Sequence, residues 1–381
     1  MLILVLNSGS SSLKYQVREV PSDDNAVLAD GSIEQIGDGE VRDHADALEA
    51  MAKQLDRQLG SRSIDCVGHR VVHGGEDYDR AVLVSAEVLE TIEGLSPLAP
   101  LHNPANAEGI RAIGRKWPDI PQVAVFDTAF HRTLPEHAWR YALPDELYRE
   151  HGIRRYGFHG SSFEYVTGEA ARLLGIPLGS FNAVIAHVGN GASATAISGG
   201  RSVDTSMGLT PLEGLVMGTR PGDLDPGLVL FLQQAGRTPD ELQDLFNHES
   251  GLKALAGESD MRRIVTAANG GDTKAALALE VASHRLAKYV GAYHVACGGA
   301  QALVFTAGVG EHSAAFRALA VERLGPLGIT LDSAANEAVD DPEQASVISD
   351  AGSAIPVLVV PTDEEKIIAE AAAAVVSQRS I

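Results

Sequence analysis

The chain has 381 residues, 45% of them apolar and 21% charged, an ordinary globular composition that is too long for one core when domains run to roughly 100–200 residues. Its 51 acidic and 30 basic residues leave a formal charge of −21, the opposite of a nucleic-acid footprint and repelled by anionic membranes. No apolar run approaches the roughly 20 residues of a membrane span. The opening residues lack the basic start, long apolar core and cleavage site of a secretory signal. Cys66 and Cys297, both in apolar surroundings, read as free buried thiols in a reducing cytoplasm. His69 and His73 are four apart, but Arg-Val-Val between them and Gly-Gly after them predict strand and turn, not a zinc helix.

Apolar Leu2–Leu6 runs into a turn, Asn7–Ser12, and Tyr15–Val20 resumes as an alternating strand. Helical spacing covers Ala45–Leu59 and stops at Gly60. Cys66–Val72 is a strand, Asn103-Pro104 reads as an N-cap before a helix to about Trp117, and Gln122–Phe126 is a strand ending at Asp127. Ser161 to Glu164 fits a capping box for a helix to Leu174. The opening pattern then returns: Phe181–Val188 is an apolar strand, Gly189–Ser193 a small-residue turn, and Ala194–Ile197 the next strand. Asn7 and Asn190 hold similar places, which predicts two duplicated α/β domains with a ligand between them. A long helix spans Thr273–Ala296, a strand Ala302–Ala307 breaks at Gly308–Glu311, Val357–Val360 is a late strand, and a helix starting near Lys366 closes the chain.

Three glycine-rich turns thus follow apolar strands: Asn7–Ser12, Gly189–Ser193 and Gly308–Glu311. Such turns offer backbone N–H groups and room for a phosphate. The P-loop pattern Gly-x-x-x-x-Gly-Lys-Ser/Thr is absent. Asp204–Leu228, DTSMGLTPLEGLVMGTRPGDLDPGL, has five glycines, three prolines and little periodicity. Loops beyond about 12–15 residues are usually functional or disordered, and this one is too apolar for disorder. Arg220 sits among its turn-formers, where a guanidinium could be held at a fixed angle.

These stretches resemble the acetokinase family, in the superfamily that includes actin, hexokinase and the heat-shock ATPases. The resemblance covers nearly the whole chain: LNSGSSSLKYQV, GHRVVHGG, LAPLHNPANAEGI, VAVFDTAFH, RYGFHGSS, HVGNGAS, the 204–228 loop, FTAGVGEHS and VPTDEE follow in the family's order. It implies two duplicated ribonuclease-H-like (actin-like ATPase) domains with a central nucleotide cleft that closes on nucleotide. Their expected extents are 1–131 plus 366–381 and 132–365, the second carrying the nucleotide and the dimer surface. It also implies reversible phosphoryl transfer from ATP to acetate, giving ADP and acetyl phosphate, in a cytoplasmic homodimer joined through Thr273–Ala296.

Carried over by motif, Asn7 and Glu364 support Mg2+ (or Mn2+) and Lys14 lies near the nucleotide phosphates. Arg70 binds the substrate carboxylate, and Asp127 fixes the arginines and the metal environment. His159 and Arg220 stabilise the moving phosphoryl group. His187, Val188, Gly189, Asn190 and Gly191 cradle phosphates, while Asp260, Met261, Arg262, Gly308, Val309, Gly310, Glu311 and His312 hold adenosine. Val72, Leu101, Phe158 and Pro211 surround the methyl group, with His102 beside it. Phe163 and His312 depart from the family's pattern, which commonly has histidine and asparagine there.

A carboxylate nucleophile is already ionised near neutral pH, so the chemistry needs positioning and charge neutralisation, not a base. Asp127 therefore reads as an orienter, and direct in-line transfer is favoured over a phosphorylated enzyme. Competing readings are a propionate or other short-chain acyl kinase on the same fold, a sugar kinase with an aspartate base, and a non-enzymatic actin-like ATP-binding protein.

Overall fold

The computed structural model describes residues 1–9, 12–21, 26–34, 36 and 41–378. The chain forms two compact units, Met1–Arg132 with Asp363–Ile381, and Thr133–Thr362.

The first unit is built on a mixed sheet of β1 (Leu2–Ser8), β2 (Ser12–Glu19), β3 (Val27–Glu34), β4 (Cys66–Val71), β5 (Val82–Leu83) and β6 (Gln122–Phe126), ordered β3-β2-β1-β4-β6-β5. β1 is apolar at successive positions because it is covered on both faces. Leu2, Leu4 and Leu6 pack with Leu48, Met51 and Leu55 of the His44–Leu59 helix. Ile3 and Val5 pack with Ile368, Ala369 and Ala372 of the closing helix Glu364–Ser377. The first of these helices is capped by Asp43, which accepts from Ala45 N and Asp46 N, and ends at Gly60 with φ 61°.

Five expectations shift here. Asn7 and Ser8 belong to the ladder, opposite Lys14 and Leu13, so the first turn is shorter than Asn7–Ser12; its Ser10 and Ser11 lie outside the described residues. β2 starts at Ser12, and β3 was not anticipated because only Ala29 and Ile33 of it enter the core. Asn103 is not the cap of the Asn103–Lys116 helix; His102 holds that place. The Asn103 amide instead accepts from His73 N and donates to His73 O and Ile92 O. The closing helix begins at Glu364, with Asp363 capping Lys366 N, two residues before the expected start.

The second unit repeats the topology with β7 (Ala183–Val188), β8 (Ala192–Ser198), β9 (Arg201–Thr205), β10 (Ala302–Thr306), β11 (Ser346–Val347) and β12 (Val357–Val359), ordered β11-β12-β10-β7-β8-β9. In each sheet a hairpin, β1–β2 or β7–β8, is followed by a parallel crossover onto β4 or β10. This is the duplication expected from the recurring hairpin. Asn7 lies one residue before the end of the first strand of one hairpin, and Asn190 sits in the turn of the other.

Two local readings are corrected in this unit. Ser161 to Glu164 is not a capping box: the helix runs Gly160–Leu174 with His159 at its N-cap, and Ser161 and Ser162 are buried within it. Gly308–Glu311 is not a turn but part of the short helix Ala307–His312 directly after β10. Its two glycines could not be told from turn residues by type alone. Thr273–Ala296 is a 24-residue helix as its length predicted. The helix Pro226–Gln234 has no buried residue although its sequence is PGLVLFLQQ. Among the described residues no helix is long and apolar enough to cross a membrane.

Candidate active site

In the first unit the parallel strands β1, β4 and β6 bring Ser8, Arg70 and Asp127 to their shared C-terminal end. Arg70, one residue before the end of β4, donates to Asp127 through Nε at 2.9 Å and Nη2 at 2.7 Å, a bidentate fork. Glu364 Oε2 lies 3.8 Å from the same Nε. One guanidinium thus faces two carboxylates. Burial works against the Arg70 charge, but Asp127 and Glu364 outweigh it and hold its pKa above the usual arginine range. Burial, opposed by Arg70 and reinforced by Asp127 and Glu365, pushes Glu364 up to about 7. The locality has an excess of negative charge and favours an added cation.

Val72 and His73 follow β4 and are held by asparagines. Val72 N donates to Asn106 Oδ1 at 3.1 Å, and Asn106 Nδ2 donates to Ser8 O at 2.8 Å. Leu101 is partly exposed, His102 starts the Asn103–Lys116 helix, and Lys14 is exposed on β2 opposite Asn7.

In the second unit two cationic or titratable side chains converge on one glycine. A Cβ at Gly191 would lie 2.9 Å from Arg220 Nη2 and 3.5 Å from His159 Nε2, so only glycine leaves that space open. His159 has φ 59°, a left-handed backbone that non-glycine residues rarely adopt. Its Nδ1 is 2.9 Å from Ser193 Oγ, and its ring stacks on His187 at 4.1 Å with 13° between planes. His187 Nδ1 is in turn 2.8 Å from Ser162 Oγ, which lies 2.7 Å from Thr362 Oγ1. Arg220 donates to the Pro211 carbonyl at 2.7 Å, and burial lowers its pKa. Among the described residues no carboxylate pairs with it. An arginine in this state is costly to bury, and a bound anion would neutralise it.

Beside this cluster is a cavity of about 440 Å³, within the size range of small-molecule sites. Gly189, Asn190, Asp260, Met261, Arg262, Gly308, Val309 and His312 line it, together with Leu252, Ser259 and Ser313, which the sequence resemblance did not name. A Cβ on Gly308 would meet no other atom within 4 Å. Asp260 and Arg262 form an exposed pair at 2.7 Å. Glu311 faces inward, where one oxygen accepts from Ala307 N at 2.7 Å and Thr362 N at 2.9 Å.

A family model described as the acetokinase family matches residues 2–370. The chain belongs to that family. Its sequence is 63% identical to a protein from Arthrobacter sp. (strain FB24) named acetate kinase, with 100% of each chain covered. Two solved structures share its fold. The acetate kinase of Porphyromonas gingivalis is 42% identical with a TM-score of 0.91, over 98% of this chain and 99% of that one. A propionate kinase from Francisella tularensis subsp. tularensis SCHU S4 is 39% identical with a TM-score of 0.93, over the same shares.

Within this acetokinase, Arg70, Asp127 and Glu364 meet in the first unit, and His159, His187, Gly191, Pro211 and Arg220 meet in the second. Val72, Leu101 and His102 belong to the first unit, Phe158 and Pro211 to the second. Phe163 is fully buried, with its ring 6.1 Å from His187, a packing place in this chain. His312 Nδ1 is 2.5 Å from the Asp340 carbonyl. Ser162, Ser193, Asn103 and Asn106 brace the site residues and were missed, because nothing in a lone serine or asparagine announces its partner.

Proposed function

We propose that this chain catalyses the reversible transfer of the γ-phosphoryl group of ATP to acetate, giving acetyl phosphate and ADP. The observation that carries the reading is Arg220: half-buried, without a carboxylate partner among the described residues, and aimed with His159 at one glycine beside a nucleoside-sized cavity. In the reaction an acetate oxygen forms a bond to the γ-phosphorus while the bond from that phosphorus to the β,γ-bridging oxygen breaks. The bridging electron pair leaves with ADP. No proton has to be removed from acetate. Arg220 and His159 meet charge on the transferring group, and the 440 Å³ cavity takes adenosine.

Arg70 binds the acetate carboxylate, held at a fixed angle by Asp127. Because the Arg70 fork is filled by Asp127 and Glu364 adds negative charge, a second anion needs a cation beside it. Oxygen donors from Asn7 and Glu364, with phosphate and water oxygens, suit Mg2+ or Mn2+. The bound ion would offset phosphate charge.

Hydroxamate trapping of acyl phosphate, with ATP, Mg2+ and a panel of acetate, propionate, butyrate and glucose, tests this. Fastest product from acetate is expected; product only from glucose would overturn it. The likeness to a propionate kinase favours a second reading in which propionate is also used. One methylene is worth only about 1–3 kcal/mol of discrimination, so propionate should react more slowly and not be refused.

We place the protein in the cytoplasm as a homodimer. The surface that supports the dimer is Pro226–Gln234, with Leu230 at 61% and Phe231 at 65% exposure and no buried residue; the Thr273–Ala296 helix buries one face and exposes Leu277 and Val295. Phe231→Glu should convert the dimer to a 40.1 kDa monomer by sedimentation. A wild-type chain that is already monomeric at micromolar concentration would end this idea.

A further inference from the structure

The segment from Ser206 to Asp225 has no helix or strand, yet it carries Pro211 and Arg220. So long a segment keeps one conformation only if its backbone groups find partners. One buried polar cluster supplies them. Arg155, four residues before His159, donates through Nη1 to the carbonyls of Thr205, Ser206 and Met207 at 2.9, 3.1 and 3.1 Å. Through Nη2 it donates to Glu213 Oε1 at 2.6 Å. The other Glu213 oxygen accepts from the Tyr141 hydroxyl at 2.5 Å, and that hydroxyl accepts from Leu209 N at 3.0 Å.

The two limbs of the loop are therefore tied at Glu213. Gly208 makes the tie sterically possible, since a Cβ there would collide with both Glu213 Oε2 and the Tyr141 oxygen. The Gly208 carbonyl accepts from Tyr156 N at 3.0 Å, which fastens the same loop to the segment leading into His159. Farther along, Gly218 N donates to Asn190 O at 2.9 Å and Met217 N to Arg220 O at 3.0 Å. Arg220 thus projects from a turn closed by backbone bonds, and its guanidinium donates to the Pro211 carbonyl, which lies between Leu209 and Glu213, the two points that the cluster holds.

We propose that Tyr141 and Glu213, with Arg155 as their hub, are positioning residues that set the angle at which Arg220 meets the transferring phosphoryl group. The proposal rests on the reading of Arg220 given above. These three groups act through the loop, so their loss should appear in the chemical step and not in acetate binding.

Glu213→Gln and Tyr141→Phe test it in steady-state kinetics, each in the wild-type and in the Arg220→Ala background. Misplacing a reacting group by about 1 Å can cost roughly 10²-fold, so kcat should fall about 10–100-fold with the acetate KM changed by less than about threefold. In the Arg220→Ala background the same replacements should cost less than about threefold more, because the group they position is gone. Equal losses in the two backgrounds, or an unchanged kcat in both single variants, would overturn the proposal. A general packing role gives the first pattern. If Glu213→Gln fails to fold, Tyr141→Phe removes a single oxygen and carries the same comparison. If Arg220→Ala alone keeps its kcat, the reading of Arg220 is what fails.

Discussion

Arg70 in the first unit and Arg220 in the second are both largely buried, but one faces two carboxylates and the other, among the described residues, faces none. The sheets beneath them repeat one topology, so the difference is not a property of the fold. It comes from what stands at the strand ends. Asp127 follows β6 and the closing helix begins with Glu364, whereas the loop around Arg220 offers it the Pro211 carbonyl. The first locality is negative and asks for a cation; the second is positive and asks for an anion. Duplication supplied two similar frames, and side-chain charge gave them opposite tasks.

The sharpest way to break this comparison is to remove the second arginine. Arginines that serve a transferring phosphoryl group can be worth about 10³–10⁵ in rate, so Arg220→Ala should lose kcat on that scale with a modest change in acetate KM. Circular dichroism confirms folding. Retention of most of the kcat would mean that Arg220 does not meet charge in the transition state.

The first arginine should fail differently. A hydrogen bond to a charged group is worth about 1.5–3 kcal/mol, so Arg70→Ala should raise acetate KM by roughly 10–100-fold, with a smaller loss of kcat. Lysine should not restore either site fully, because it lacks the planar two-point fork. If Arg70→Ala leaves acetate KM unchanged while kcat falls, Arg70 belongs with Arg220 and the contrast disappears.

Much of this layout was legible in the sequence, for physical reasons. A strand buried on both faces reads as an apolar run, so Leu2–Leu6 and Ala183–Val188 could be placed, and with them the duplication. The residues at their ends were visible because glycine, serine and asparagine in a row between two strands mark a tight turn with open backbone N–H groups. What could not be read depends on partners distant in sequence. Ser162 looked like the interior of a capping box but is a buried partner of His187 and Thr362. Asn103 looked like a cap but braces His73. Val27–Glu34 contains Asp and Gly, poor strand formers, and is a strand because β2 offers it an edge. Gly308 and Gly310 read as turn residues, and their helix is set by Glu311 accepting from Ala307 N.

The units should also differ in acid. β4 carries His69, and His73 lies just beyond it; burial lowers each to about 4, with a bond to Gln122 partly opposing this at His69. β10, the equivalent strand, is ALVFT and has no titratable group. A histidine whose folded pKa is depressed adds stability above its unfolded value of about 6.5 and loses it as pH falls through its folded value. Each should withdraw up to about 3 kcal/mol between pH 6.5 and 4, since one pKa unit is about 1.4 kcal/mol. Hydrogen exchange should show β4 losing protection in that window before β10. A His69→Gln variant should flatten the loss. Parallel loss in both sheets would place the acid sensitivity elsewhere.

The smallest expected effect concerns how the two units begin the helices beside their sites. Glu364–Ser377 is started by Asp363, whose side chain accepts from Lys366 N, whereas Gly160–Leu174 is started by His159 with no side-chain cap and φ 59°. The second helix therefore carries backbone strain of order 1–3 kcal/mol at a residue that points at Gly191 beside Arg220. Asparagine tolerates the left-handed region better than alanine does. His159→Asn and His159→Ala both lose the imidazole and its stack on His187. Both should be catalytically impaired, yet His159→Asn should unfold at higher denaturant concentration, by about 1 kcal/mol. Equal stabilities would show that the left-handed backbone at 159 costs nothing, and the strain would then have no part in presenting the imidazole. A more stable alanine variant would mean that the helix start rearranges once the ring is gone, and that the stack, not the backbone, holds His159 in place.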